Sequence, residues 1–185
     1  MLDVAIRHNE ELQIRYRETL FNPRYKFYLG FPEMLNFIPM ADSGAIQMVS
    51  LNEHGAVIGY IGAKINRITK TAYDHESINF LPGKNDTFTQ DIADFDLFLF
   101  NELGMDRIIW SVIIGNPVEK LYDRYVDICG TRIVGTFRNE VMLPDGQLYD
   151  LKYYEVLKED FFRTIAKNGA KPSDYRNIGK EVYVQ

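Results

Sequence analysis

The sequence predicts a mixed α/β fold, and three observations predict it. From Ala45 onward, short runs rich in β-branched and aromatic residues alternate with turn residues, which is the pattern of strands. Between residues 88 and 103, Ile92, Phe95, Leu99 and Leu103 recur at helical intervals ahead of Gly104, the pattern of an amphipathic helix with a C-terminal stop. The run Arg107-Ile108-Ile109-Trp110-Ser111-Val112-Ile113-Ile114 is nearly all apolar and short, as a strand covered on both faces would be.

In chain order, Val4-Ala5-Ile6-Arg7 is expected as a short first strand. Asn9 ahead of Glu10, Glu11 and Leu12 has the form of a helix cap with acids in the first turn, and a helix to about Leu20 follows. Residues 22–39 carry Tyr25, Phe27, Tyr28, Phe31 and Phe37, broken by Pro23 and Pro32. A short helix packed on the core accounts for them; the wall of a substrate groove is the functional alternative. Residues 46–51 and 56–65 flank Asn52-Glu53-His54-Gly55 and form a hairpin. Residues 71–81 make a third strand, stopped by Pro82-Gly83. After the helix over 88–103 and the strand over 107–114, Asn116 and Pro117 open a second helix that ends near Gly130. Strands over 132–143 and 147–157 flank Pro144-Asp145-Gly146, a hairpin turn. The tail from Lys158 starts as a helix and then turns polar.

A chain of 185 residues fits one domain able to bury a core without disulfides, here with its centre over 45–157, a helical part before it and a tail from 158. Cys129 is the single cysteine and sits in an apolar-flanked run, so a buried thiol is expected rather than a nucleophile. Met1-Leu2-Asp3-Val4 is no targeting signal, and no apolar run approaches about 18 residues. A cytoplasmic protein without membrane contact is the expectation. A formal charge of −5 repels a polyanion, so nucleic acid is not an expected partner. His8, His54 and His75 are scattered and lack cysteine neighbours, so no metal is expected.

The order strand, strand, strand, helix, strand, helix, strand, strand resembles the GCN5-related N-acetyltransferase family, and the spacing of landmarks strengthens the likeness. In that family a Gln/Arg-x-x-Gly-x-Gly/Ala loop opens the central helix, which ends about fifteen residues later at a glycine; Lys84-Asn85-Asp86-Thr87-Phe88-Thr89 stands in that place and Gly104 at that distance. An asparagine follows that glycine by twelve residues, as Asn116 does here. Residues 135–154 resemble the last hairpin of the subgroup that modifies protein N-termini, drugs or small amines. The resemblance implies a mostly antiparallel sheet of six to seven strands flanked by helices, its central strands splayed apart. It further implies transfer of an acetyl group from acetyl-CoA to an amine of a small molecule or protein, in a family where homodimers are common. The altered loop leaves a second reading, a non-catalytic ligand-binding or interaction module with the same fold, for instance one encoded by a mobile element.

The loop departs from the pattern where Thr87 and Thr89 replace small residues, Lys84 replaces Gln/Arg and Asp86 adds a carboxylate. Such a loop works by presenting backbone N–H groups and a positive helix end, and a carboxylate beside phosphate costs affinity unless it turns to solvent. The resemblance assigns Ser77, Ile78 and Asn79 to the pantetheine arm and thioester, and Asn85, Asp86, Thr87, Phe88, Thr89 and Gln90 to the pyrophosphate. It gives Asn116 to the pantetheine arm, although a plain N-cap explains that residue equally well. The family's general acid is a tyrosine about seven residues past the asparagine; Tyr122 is six past, and helix phase decides whether it faces the site. For the general base, His75 titrates near neutrality and Glu76 acting through water is as plausible. Strand alternation puts Asp74 and Glu76 on one face and His75 on the other.

Overall fold

The computed structural model describes residues 1–20, 22–28, 44–83 and 85–169; Phe31, Phe37, Lys84 and the tail past 169 lie outside them. Seven strands form one sheet in the order β1-β2-β3-β4-β5-β7-β6: β1 Leu2–Val4, β2 Ala45–Leu51, β3 Val57–Asn66, β4 Thr71–Asn79, β5 Arg107–Ile113, β6 Arg132–Met142 and β7 Leu148–Leu157. Four helices accompany them, α1 Asn9–Thr19, α2 Asp86–Asn101, α3 Glu119–Cys129 and α4 Lys158–Lys167, with 3-10 turns at Ala5–His8 and Pro23–Tyr28.

The first segment differs from expectation. The strand is Leu2–Val4, paired antiparallel with β2, and Ala5–His8 winds as a 3-10 turn straight into α1. Asn9 is therefore already helical and makes no side-chain cap, because a cap needs an extended residue before the first turn.

Of three apolar clusters among the described residues, the two larger sandwich the sheet and a small third one joins Ile113, Val141 and Leu143. On one face α2, α3 and α4 bury Phe95, Leu99, Phe100, Cys129, Phe161 and Ile165 against Ile61, Ile108 and Val156. On the other, Leu12 and Tyr16 of α1 pack with Tyr25 on Val49, Tyr60 and Ile78. Glycine makes the close approach of α2 to β3 feasible: a Cβ on Gly59 would lie 2.2 Å from the Phe88 ring. Gly130, at φ 71, ends α3 in the left-handed conformation that glycine adopts without steric cost.

All strand pairs are antiparallel except β4 and β5, which run parallel and meet only at Thr71↔Arg107 and Ala72↔Ile108. Beyond those two pairs the strands part, so the sheet divides into β1–β4 and β5–β7 with a wedge-shaped gap between. This is the splayed centre that the resemblance implies.

Candidate active site

The gap leaves one edge of β4 open. Phe80 N–H donates to the Ile58 carbonyl at 3.0 Å, and backbone groups alternate along a strand. Ile78 therefore turns its N–H and C=O toward β3, whereas Ser77 and Asn79 present theirs to the gap. Of the three residues assigned to the pantetheine arm, Ile78 does not fit: its side chain is also buried in the core behind Tyr60.

Cavities open on both sides of the gap. One, of about 530 Å³, lies toward α2 and α3 and is walled by Asn79, Asn85, Thr89, Asp96, Trp110 and Tyr125. The other, of about 490 Å³, lies toward α1 and the Pro23–Tyr28 turn and is walled by Gln47, Tyr60, Asp74, Glu76, Ser111 and Tyr153. His75, Ser77, Asn116 and Tyr122 line both, so the cavities meet at these side chains. Each volume is in the range of small-molecule sites.

A bulge sets the side chains at the end of β4. Gly62 pairs with Glu76 and Lys64 with Tyr73, so Asp74 and His75 together oppose Ala63. Asp74 takes φ 50, a left-handed angle that aspartate tolerates better than most residues, and its carboxylate pairs with Lys64 at 2.9 Å near solvent. Glu76 accepts from the Tyr60 hydroxyl at 3.0 Å, and that hydroxyl accepts from Gln47 Nε2 at 3.2 Å. Desolvation pushes the Glu76 carboxyl up, against the Tyr60 hydrogen bond that pulls it down. Much of Glu76 still meets solvent because its cavity is open, so the push is partial.

His75 points to the opposite face. Its Nε2 stands 2.8 Å from Asp96 Oδ1 of α2, with side chains 10% and 15% exposed. The Phe95 ring lies 5.6 Å from the imidazole. Burial alone would keep the imidazole neutral; the Asp96 carboxylate outweighs it and raises the His75 pKa.

At the start of α2 two amides of the expected anion loop already have protein acceptors. Asn85 caps the helix, its side chain accepting from Phe88 N–H at 3.1 Å, and its carbonyl accepts from Thr89 N–H at 3.0 Å. Asn79 ties the turn together, donating to the Gly83 carbonyl at 3.2 Å and accepting from Leu81 N–H at 3.0 Å. Of the residues assigned to the pyrophosphate, Phe88 and Thr89 thus have their amides engaged, and Phe88 is a buried core side chain. Asp86, Thr87 and Gln90 line neither cavity. Asn116 shapes the turn before α3 and does not cap the helix: its Oδ1 accepts from Val118 N–H at 3.2 Å while the residue borders both cavities.

Tyr122 packs edge-on against Trp110 and Tyr154, with ring centroids 5.9 Å and 5.8 Å apart; Trp110 in turn stacks on Tyr154 at 5.7 Å. Tyr154 donates to Asp123 at 2.8 Å, and Lys152 reaches the same carboxylate at 2.5 Å. Sequence reasoning did not point to Tyr60 or Asp96. Cross-strand pairing alone brings Tyr60 to Glu76. Asp96 had a readable signal, an acid on the helix face that also carries Ile92, Ala93 and Phe100.

No protein-family model matches the chain, and no curated protein matches it in sequence. Its structure is similar to the crystal structure of spermidine N-acetyltransferase from Vibrio cholerae in complex with CoA and spermine, with a TM-score of 0.69 at 20% identity over 88% of this chain and 97% of that one. It is also similar to a dodecameric structure of spermidine N-acetyltransferase from Vibrio cholerae in an intermediate state, with a TM-score of 0.55 at 23% identity over 65% and 68% of the two chains. A chimeric form of the Vibrio cholerae enzyme gives a TM-score of 0.57 at 21% identity over 66% and 75%. The sheet order, the splayed β4 and β5 and these likenesses together make this chain a GCN5-related N-acetyltransferase fold.

Proposed function

We propose that the protein is an acetyl-CoA-dependent N-acetyltransferase acting on a cationic amine. The observation that carries this reading is the open gap between β4 and β5, with a cavity on each side meeting at His75, Ser77, Asn116 and Tyr122. A two-substrate transfer needs such a passage, because the reacting atoms must approach from opposite faces and be held in line.

In this reading the cavity beside α2 and α3 takes the donor, which supplies an acyl group on a thioester. The exposed backbone of Ser77 and Asn79 bonds the donor's amide-rich arm as a neighbouring strand would. The cavity on the other face takes the amine. Glu76 gives it negative charge, the Asp74 carboxylate there being paired with Lys64, and Tyr16, Tyr60 and Tyr153 give it aromatic faces, a combination suited to ammonium groups. Spermidine and spermine are the first amines to test, in view of the similar enzyme. Glu76, backed by Tyr60, removes the proton that the amine must lose, directly or through water. Tyr122 reaches the gap from α3 and returns a proton to the leaving sulfur.

The engaged amides of Phe88 and Thr89 favour a second reading, a fold that binds CoA weakly or not at all and serves as an interaction module. Thermal unfolding with and without CoA, followed by mass-spectrometric detection of acetylated amines, separates the two. On the first reading saturating CoA raises the midpoint, about 2.7 kcal/mol of stabilisation arriving at a hundredfold excess over Kd, and acetylated amine accumulates. An unmoved midpoint and no product over the amine panel reject it. Self-association, as a homodimer, is part of the same proposal and is read by light scattering.

A further inference from the structure

The pair formed by His75 and Asp96 has no part in the chemistry assigned to Glu76 and Tyr122, yet it is the least solvated charge pair at the gap. His75 and Asp96 are 10% and 15% exposed and 2.8 Å apart, whereas Asp74 and Lys64 are more than half exposed. Burying two charges costs several kcal/mol per ion before their attraction is counted, and apolar residues of similar size are often as stable or better. A core position beside Phe95 would therefore accept leucine or phenylalanine. Two elements instead place opposite charges there, one of them on the side chain that borders both cavities.

We propose that Asp96 is a positioning residue: it holds His75 as an imidazolium at the gap, where the positive charge stabilises negative charge developing on the thioester oxygen. This rests on the acetyl-transfer reading. As the amine nitrogen adds, a C–N bond forms and the carbonyl π pair moves to oxygen. On collapse that pair returns, the C–S bond breaks, and sulfur leaves with its electrons and takes a proton. His75 keeps its own proton throughout and acts through space, since its Nε2 faces Asp96. A fixed charge in a site of low dielectric is worth far more than the same charge in water.

Two carboxylates favour the charged form of the imidazole: Asp96 of α2 in direct contact, and Glu76, the next residue on β4, through space from the other face. Asp74, also on that other face, is paired with Lys64 of β3. Tyr122 of α3 borders the same two cavities. His75 is held above its ordinary pKa against the burial that would lower it. Its charge is present below that raised value and is lost as pH rises through it.

The test uses the whole chain. The His75 ring signal, identified among three histidines by its loss in His75→Gln, is titrated by NMR in the unmutated protein, in Asp96→Asn and in Asp96→Glu. The midpoint should lie above the ordinary histidine value of about 6.5 in the unmutated protein and clearly lower in Asp96→Asn; Asp96→Glu keeps the charge and should retain the high value. In parallel, kcat and KM are measured across pH with acetyl-CoA and an accepted amine. Asp96→Asn should lower kcat by about tenfold or more near neutral pH, leave KM for acetyl-CoA nearly unchanged and shift the alkaline limb to lower pH. Added to His75→Gln, it should change kcat no further. Equal midpoints in the unmutated and Asp96→Asn proteins overturn the proposal, as does a lowered midpoint with an unaltered pH profile. If the unmutated protein acetylates no amine, the reading beneath fails first and takes this role with it. Turnover that is indifferent to Asp96→Asn removes the role alone.

Discussion

Two tyrosines one turn apart on α3 allow the proton donor to be tested against a close control. Tyr122 lines both cavities, and Tyr125 only the one beside α2 and α3. A phenol that gives its proton only as the thiolate forms acts on the transition state, so its loss should lower turnover without weakening the ground-state complex. Tyr122→Phe should reduce kcat by about 10²–10⁴, with calorimetric CoA affinity nearly unchanged, and Tyr125→Phe should do neither. Equal kcat in the two variants would reject Tyr122 as the acid. The position of Tyr122 was only half legible in the sequence. Counting from Asn116 leaves it one residue short of the family spacing, but a turn at 116–118 delays the helix to Glu119, and the phase then brings Tyr122 to the gap. His75 and Glu76 were legible because strand alternation separates neighbours onto opposite faces. Tyr60 was not, since only pairing between strands brings it to Glu76.

The open edge of β4 is an element-scale feature with its own observable. Ile78 and Phe80 direct their N–H groups to β3, while Ser77 and Asn79 direct theirs into the gap. In hydrogen exchange resolved to single residues, the Ser77 and Asn79 amides should therefore exchange much faster than those of Ile78 and Phe80 in the free protein. Saturating CoA should slow the first pair and leave the second as it was. Equal protection of Ser77 and Ile78 without ligand would mean that the edge is not open, and the donor assignment would go with it. The elements themselves were well marked: α2 runs over Asp86–Asn101 and β5 over Arg107–Ile113, close to the predicted limits, because period and stop signals agree there. The bulge in β4 was not marked, since its left-handed residue is Asp74 rather than a glycine. The engagement of the Phe88 and Thr89 amides by Asn85 was not marked either, because whether an asparagine caps a helix or leaves the amides to a ligand depends on geometry that the residue type does not specify.

At the scale of the whole molecule, a sheet joined at its centre by two residue pairs depends on contacts that cross between its parts. One such contact is ionic: Lys26 of the Pro23–Tyr28 turn reaches Asp145 of the last hairpin at 2.8 Å. Within the second part, Lys152 of β7 reaches Asp123 of α3 at 2.5 Å and fixes that helix on its strand. Lys26 holds the Asp145 carboxyl down to about 2, with help from Tyr149; Lys152 and Tyr154 hold Asp123 below its ordinary value against some desolvation. A carboxyl whose folded pKa is depressed stabilises the fold above its unfolded pKa of about 3.9, and that share is lost as pH falls through the folded value. Glu76 has the opposite sign: its pKa is raised, so the fold is penalised while it is ionised and relieved as it is protonated. Thermal midpoints should accordingly hold between pH 7 and 5 and decline progressively below about pH 4. Asp145 and Asp123 are solvated, so each contributes modestly. The double variant Asp123→Asn, Asp145→Asn should start from a slightly lower midpoint at pH 7 and lose less of it by pH 2. Midpoints measured by circular dichroism across that range decide the matter: if the double variant declines as steeply as the unmutated protein, these two contacts, one between the parts of the fold and one within the second part, do not contribute to its acid sensitivity.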